Sequence, residues 1–87
     1  MSPTTLALQP GPIFYDVFVG GLKAQGRRIV DFAAAQEVRP GNLKAIAAGV
    51  NNGERSQAVR QAMIDAVGEE TFLYLFRYRL RFEEQRQ

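Results

Sequence analysis

Residues 29–49 read IVDFAAAQEVRPGNLKAIAAG, and this stretch indicates two short helices separated by a turn. The turn is the Arg-Pro-Gly step at residues 39–41. Proline donates no backbone hydrogen bond, disfavours helical geometry at the residue before it and suits the first position of a new helix. We therefore predict helices over about residues 28–36 and 40–48, with Gly49 closing the second.

The apolar residues of these two predicted helices recur with helical spacing, so each helix has one face to bury. They are Ile29, Phe32 and Ala33 on the first helix, Val38 in the turn, and Leu43, Ile46, Ala47 and Val50 on the second. The opposite stripe of the second helix has the same spacing and consists of Gly41, Lys44, Ala45 and Ala48. This is a helix-turn-helix pattern, and in a DNA-binding version the outward stripe enters the major groove.

Residues 22–68 resemble the Cro/repressor class of helix-turn-helix DNA-binding proteins, in particular the short regulators of Mu-like phages. Residues 22–26, Leu-Lys-Ala-Gln-Gly, are similar to the Leu-Lys-Ala-x-Gly lead-in of those regulators. Residues 31–33, Asp-Phe-Ala, are similar to their acidic-aromatic-alanine step. The resemblance implies a repressor-like domain of four to five helices, a homodimer, and transcription regulation of a phage or prophage kind.

Two residues depart from the pattern of that class. Glu37 stands where the turn usually has glycine, which predicts a turn that is not tightly left-handed at this residue. Arg28 stands where a Ser or Thr usually caps the helix, so the helix is expected to lack a cap worth roughly 1 kcal/mol.

Length and composition exclude several classes of protein. A chain of 87 residues is expected to form one domain, residues 1–87, that must bury most of its apolar residues. It contains no Cys and no His, which excludes disulfides, thiolate chemistry and the usual zinc sites, and removes the commonest general base. No apolar run approaches the roughly 20 residues that span a bilayer. We expect a soluble cytoplasmic protein without a cofactor.

The charge is unevenly distributed along the chain. The net charge is only +2, but residues 23–60 contain seven basic side chains against three acidic ones. A basic segment suits a phosphate-rich partner, although solvated helix surfaces also carry many Lys and Arg side chains.

The remaining helical core, residues 12–68, is predicted from further apolar stripes. A first helix over about residues 12–25 carries Phe14, Val17, Phe18, Gly21 and Leu22. The adjacent glycines at residues 20–21 weaken a helix, which indicates that another helix packs closely there. A fourth helix, capped by Ser56 and ended by Gly68, has an apolar face of Val59, Ala62, Met63, Ala66 and Val67.

The C-terminal segment, residues 71–83, alternates with period two and is rich in aromatics, which predicts a strand. A helix is the alternative, because Phe72, Leu73, Phe76 and Leu80 also form a helical stripe. An aromatic edge strand needs a partner. The predicted partner is either residues 5–9 of the N-terminal arm, residues 1–11, or the same strand of a second chain. The predicted fold is therefore mostly α with a small β element.

The DNA-binding hypothesis gives each polar residue a role. The candidate base contacts are Arg39, Asn42, Lys44, Ala45 and Ala48. The first three supply hydrogen-bond donors, and the two alanines supply methyl groups that can contact thymine. The candidate phosphate contacts are Arg27, Arg28, Asn51, Asn52 and Arg55.

Two other classes of function compete with this one. The alanine-rich outward stripe also fits a protein-binding helix-turn-helix, such as an antitoxin or a polymerase-binding regulator, because small residues let another backbone approach. An enzyme is not expected. The carboxylate pairs at residues 69–70 and 83–84 have no nearby base, nucleophile or metal-ligand cluster, and adjacent residues point to different sides of a regular element.

Overall fold

Five helices make up the part of the chain that the computed structural model describes, residues 8–50 and 53–85. They are α1 (Pro12–Ala24), α2 (Ile29–Ala35), α3 (Pro40–Ala48), α4 (Glu54–Val67) and α5 (Glu69–Gln85). The predicted helices agree with α1, α2 and α3 to within one residue at each end, and with α4 except that α4 begins three residues earlier than predicted. No strand occurs in these two ranges, so the predicted small β element is not found.

Helix α1 lies at the centre and packs against α3, α4 and α5. Its predicted apolar stripe is confirmed, because all five of its members are buried. The Phe14 ring lies 4.8 Å from the Phe72 ring of α5, and the Phe18 ring lies 4.9 Å from the Phe32 ring of α2, measured between centroids. These two ring pairs join the C-terminal helix and the first motif helix to one shared core.

The close packing predicted for the two adjacent glycines is confirmed at one of them. Gly21 is buried against Val67 of α4, whereas the space beside Gly20 is open. The pair therefore has one packing glycine and one exposed glycine.

The prediction of a strand over residues 71–83 is wrong, because this segment is the helix α5. Its most buried side chains, Phe72 and Phe76, are four residues apart and fit both a period of two and a helical period. Glu69 and Glu70 in the first turn favour a helix through its dipole, and a helix pairs its own backbone groups without a second strand.

A charged side chain also ties α5 to α1. Arg79 donates to Asp16 Oδ2 on α1 at 2.8 Å and to Glu83 Oε1, one helical turn away, at 2.9 Å. These two hydrogen bonds, to Glu83 first and then to Asp16, raise the pKa of the Arg79 guanidinium above its ordinary value. The pairs are partly exposed to solvent, so they orient α5 more than they stabilise it.

Helix α4 begins earlier than the sequence predicts. Its N-cap is Gly53, and Ser56 is buried inside the helix instead of capping it. The chain has already turned helical at Glu54, whose carboxylate is favourable in a first turn. Gly68 alone separates α4 from α5 and has a positive φ of 102°.

Most of the predicted N-terminal arm lies outside the described residues, including residues 5–7 of its candidate strand. Its last part is anchored, because Leu8 is buried in the core and the Gly11 amide donates to the Ala47 carbonyl oxygen of α3 at 2.9 Å. Among the helices of residues 8–50 and 53–85, none has the length and apolar content to cross a membrane.

Candidate nucleic-acid interface

Helix α3 is held in the core by its inner face. Leu43, Ile46 and Ala47 are buried, as the spacing predicts. Val50, the fourth predicted anchor, is instead 71% exposed. The helix ends before Val50, since Gly49 adopts a left-handed φ of 83° and turns the chain away.

The C-terminal end of α3 has its carbonyl groups paired by three different segments. The Val50 amide donates to the Ala45 carbonyl oxygen at 3.1 Å. The Arg60 guanidinium donates to the Ile46 carbonyl oxygen at 2.9 Å, and the Gly11 amide donates to the Ala47 carbonyl oxygen. This end of α3 is therefore fixed from several sides, and the other end is the one available to a partner.

The turn between α2 and α3 is left-handed at Glu37, which has a φ of 57°. The prediction that this residue would not be left-handed is therefore wrong. Glu37 adopts the conformation that glycine usually supplies, because the Glu37 amide must reach the Ala34 carbonyl oxygen and the Val38 amide the Ala33 carbonyl oxygen. A side chain in this conformation costs roughly 1 kcal/mol.

Arg55 braces this strained turn. Its Nη2 atom donates to the Gln36 carbonyl oxygen at 2.8 Å and to the Glu37 carbonyl oxygen at 3.2 Å. The sequence predicts Arg55 as a phosphate contact and gives no sign of this second role, because Arg55 lies 18 and 19 residues from its two acceptors.

The outward face of α3 is open to solvent at its N-terminal end. Arg39 is the N-cap residue and makes no side-chain cap hydrogen bond. Four residues on this face are exposed, namely Gly41, Asn42, Lys44 and Ala48, while Ala45 is half-buried. A Cβ atom at Gly41 would meet nothing within 4 Å, so the space beside Gly41 is open. The five candidate base-contacting residues thus lie on α3 and its N-cap, four of them exposed and Ala45 half-buried.

A groove of about 440 Å³ runs between the turn and the first turns of α3. Arg39 and Asn42 line it from α3, and Glu37 and Arg55 line it from the turn and α4. The groove therefore contains hydrogen-bond donors and one exposed carboxylate, that of Glu37. That carboxylate lowers the local positive potential and is suited to accept from a cytosine amino group.

The candidate phosphate-contacting residues are not all equivalent. Arg28 is exposed, is the N-cap residue of α2 and makes no side-chain cap hydrogen bond, as predicted. Asn51 and Asn52 lie outside the described residues.

Arg27 has a structural role at the far end of α4. Its Nη1 atom donates to the Ala66 carbonyl oxygen at 3.4 Å and to Gln25 Oε1 at 3.3 Å. Gln25 itself donates to the carbonyl oxygens of Ala66 and Val67 at 2.9 and 3.2 Å. Residues 25 and 27 therefore pair the C-terminal carbonyls of α4, about 16 Å along that helix from Arg55.

Nowhere in residues 8–50 and 53–85 do three His, Cys, Asp or Glu side chains converge as they would to hold a metal ion. The arrangement offers donors, methyl groups and an exposed helix end to a macromolecular partner. Comparison of the chain with protein-family models, curated proteins and solved structures finds no match in any of the three.

Proposed function

We propose that this chain is a sequence-specific regulator of transcription that binds double-stranded DNA and reads the major groove with α3. The observation that carries the proposal is the division of α3 into two faces. Its inner face is buried in the core, and its N-terminal half presents Arg39, Asn42 and Lys44 to solvent. A helix held rigidly in this way can be placed in a groove without losing its own packing.

The chemistry of the exposed side chains supports direct reading of base edges. Arg39 and Lys44 can donate to guanine O6 and N7, and Asn42 can form two hydrogen bonds with an adenine edge. Gly41, Ala45 and Ala48 have little or no side chain, so the helix backbone can approach the bases, and the alanine methyls can contact thymine methyls.

Contacts to the phosphates of the DNA backbone would position the domain on the duplex. Arg28 at the start of α2 is exposed and makes no side-chain cap hydrogen bond, so its guanidinium is available for a phosphate. Arg55 would reach a phosphate while keeping the turn in shape, and Arg27 would contribute charge from the opposite end of α4.

We propose further that the protein acts as a homodimer in the cytoplasm, with the C-terminal segment at the interface. Two copies of α3 would then contact two half-sites, whose spacing follows from the distance between the two helices. A subunit of the transcription machinery would be the additional protein partner of such a regulator.

The same face of α3 also fits a protein partner, because its small residues allow close approach and Glu37 places a carboxylate beside it. A fluorescence anisotropy titration with labelled duplex DNA separates the two functions. We expect binding to random duplexes at about 50 mM salt that weakens steeply by 200 mM, and tighter binding to sequences recovered from a randomised pool. Absence of binding at low salt would contradict the DNA proposal and favour the protein-binding function.

A further inference from the structure

Helix α5 has a second apolar surface that faces solvent. Tyr74, Tyr78 and Phe82 are 68%, 48% and 43% exposed and follow one another at intervals of four residues. The Tyr74 and Tyr78 rings stack with centroids 6.2 Å apart, and the Tyr78 and Phe82 rings pack edge to face at 5.1 Å. The opposite face of the helix is buried through Phe72 and Phe76. Contiguous exposed rings of this kind mark an interaction surface.

Two of the exposed rings, those of Tyr74 and Tyr78, can occupy the contact positions of a pair of helices. We define the α5 seam as the residues spaced alternately by three and four, namely Thr71, Tyr74, Tyr78, Arg81 and Gln85. On one side of the seam lies a charged flank, consisting of Glu70, Arg77 and Glu84. On the other side lies an apolar flank, consisting of Leu75 and Phe82. Seam and flank positions of this type are the contacts of a two-stranded coiled coil.

The two flanks decide the orientation of a second copy. In a parallel pair, the charged flank of one helix faces the apolar flank of the other. Arg77 would then face the partner's Phe82. In an antiparallel pair, each flank faces its own counterpart. With Tyr78 set opposite the partner's Arg81, Arg77 lies opposite the partner's Glu84 and Leu75 lies opposite the partner's Phe82. Each of these contacts occurs twice by symmetry.

The face is therefore complementary to itself in this register, which matches both the charged flank and the apolar flank. That register places the Tyr78 ring beside the guanidinium of the partner's Arg81. A cation next to the face of an aromatic ring is a favourable contact. Within residues 8–50 and 53–85, neither the Arg77 guanidinium nor the Glu84 carboxylate forms an ion pair. Both are exposed and available for the contact.

A nucleic-acid strand fits this face less well than a second copy does. Stacked rings and two arginines are typical of single-strand binding. However, Glu70 and Glu84 balance Arg77 and Arg81, so the face is neutral and its carboxylates would repel phosphates. A face with both signs of charge and no net charge is suited to a second copy of itself, in which the same charges follow one another in the opposite direction.

We propose that α5 pairs antiparallel with α5 of a second copy through the α5 seam, with Arg77 bound to the partner's Glu84. This inference rests on the proposed homodimer and specifies its contact, and it does not depend on DNA binding. A 17-residue helix is about 25 Å long, so one helix pair buries less than the roughly 1,600 Å² of a standard interface. We therefore expect a weak dimer, in equilibrium with monomer in the micromolar range.

A charge exchange tests the pairing by sedimentation equilibrium without DNA. Arg77→Glu and Glu84→Arg each place like charges opposite one another at both symmetric contacts, and each should raise the dimer dissociation constant about tenfold at low salt. The double variant carrying both changes should dimerise like the wild type. An equimolar mixture of the two single variants should also dimerise, because every contact then joins unlike charges.

Cysteine cross-linking tests the direction, and the chain has no native Cys to interfere. In the proposed register residue 74 lies opposite the partner's residue 85. A mixture of Tyr74→Cys and Gln85→Cys proteins should form the mixed disulfide dimer on mild oxidation, and neither protein alone should. Two copies of residue 74 would be about 16 Å apart along the axis, beyond the roughly 7 Å limit for a disulfide.

The possible results are distinct. A dimer that the charge changes leave intact, or that cross-links through residue 74 alone, would overturn this register while leaving the homodimer standing. A wild-type protein that stays monomeric at several hundred micromolar would overturn both the pairing and the proposed homodimer. Circular dichroism of each variant checks that the exposed substitutions leave the helices folded.

Discussion

Gly21 on α1 lies so close to Val67 on α4 that a Cβ atom at residue 21 would be 2.6 Å from Val67 Cγ1. A side chain of any size at residue 21 therefore separates the two helices. Val67 is buried and β-branched, so it has little freedom to move aside.

Gly21→Ala is expected to destabilise the protein by about 1 to 3 kcal/mol through overpacking. Gly20→Ala is the matched control, because the added methyl group meets nothing within 4 Å and alanine favours a helix. It should stabilise the protein by about 0.5 to 1 kcal/mol. Urea denaturation of the two variants measures the difference, and equal midpoints would show that α1 and α4 do not meet at Gly21.

The side chain of Ala33 on α2 is completely buried, as expected for a small residue where α2 crosses α3. Ala33→Leu should lower the free energy of unfolding by about 1 to 3 kcal/mol, because the larger side chain cannot fit between the helices. Ala34 is exposed and gives the control. Ala34→Leu should change the free energy of unfolding by less than about 0.5 kcal/mol. Similar losses for the two variants would contradict the register of α2.

The left-handed backbone at Glu37 predicts a stabilising substitution. Glu37→Gly removes the steric conflict of a side chain at a φ of 57° and should raise the free energy of unfolding by about 0.5 to 1 kcal/mol. Glu37→Ala keeps the Cβ atom and removes only the carboxylate, so it should give no such gain. If glycine and alanine had the same effect in thermal denaturation, the turn would not be left-handed in solution.

The brace at Arg55 predicts a loss of stability in the absence of any ligand. Arg55→Ala removes two hydrogen bonds to the turn and should cost about 1 kcal/mol. Lys23, an exposed residue in the last turn of α1, is a control with the same change of charge. Lys23→Ala should lower the denaturation midpoint by less than Arg55→Ala does, because it removes only a solvent-screened interaction with the dipole of α1. A midpoint for Arg55→Ala that equals the wild-type value would mean that the arginine does not hold the turn.

Much of the helical core could be predicted because special residues mark its boundaries. Pro40 and Gly49 limit α3 where the sequence places them, and Gly26 follows α1 with a positive φ of 74°. The burial of Phe14, Phe18 and Leu22 follows from helical spacing alone. These signals act within a few residues of one another, so no knowledge of the tertiary structure is needed.

The errors have both long-range and local causes. Phe72 and Phe76 fit both a strand and a helix, and in the helix that forms Phe72 packs on Phe14 of α1. Glu37 is left-handed because its neighbours must form the turn, and Arg55 reaches that turn from another helix. Val50 lies beyond a left-handed glycine, where a helical repeat no longer predicts burial.

The most direct test of the proposed function distinguishes residues of α3 that contact base edges from Arg28 at the start of α2, which would contact the DNA backbone. Arg28 is a better probe of positioning than Arg55, because the loss of Arg55 also disturbs the turn. Arg28→Ala should weaken binding to selected and random duplexes alike and reduce the slope of the salt dependence by about one unit.

The decisive measurement is the ratio of the two affinities, selected over random duplex, for wild type and Lys44→Ala at several salt concentrations. Lys44 is exposed on the outward face of α3. If it bonds a base edge, Lys44→Ala should weaken binding to the selected duplex by about 1 to 3 kcal/mol and binding to random DNA by much less, so the ratio falls. A ratio that Lys44→Ala leaves unchanged would contradict reading by Lys44 on α3 and would favour a protein partner on that face.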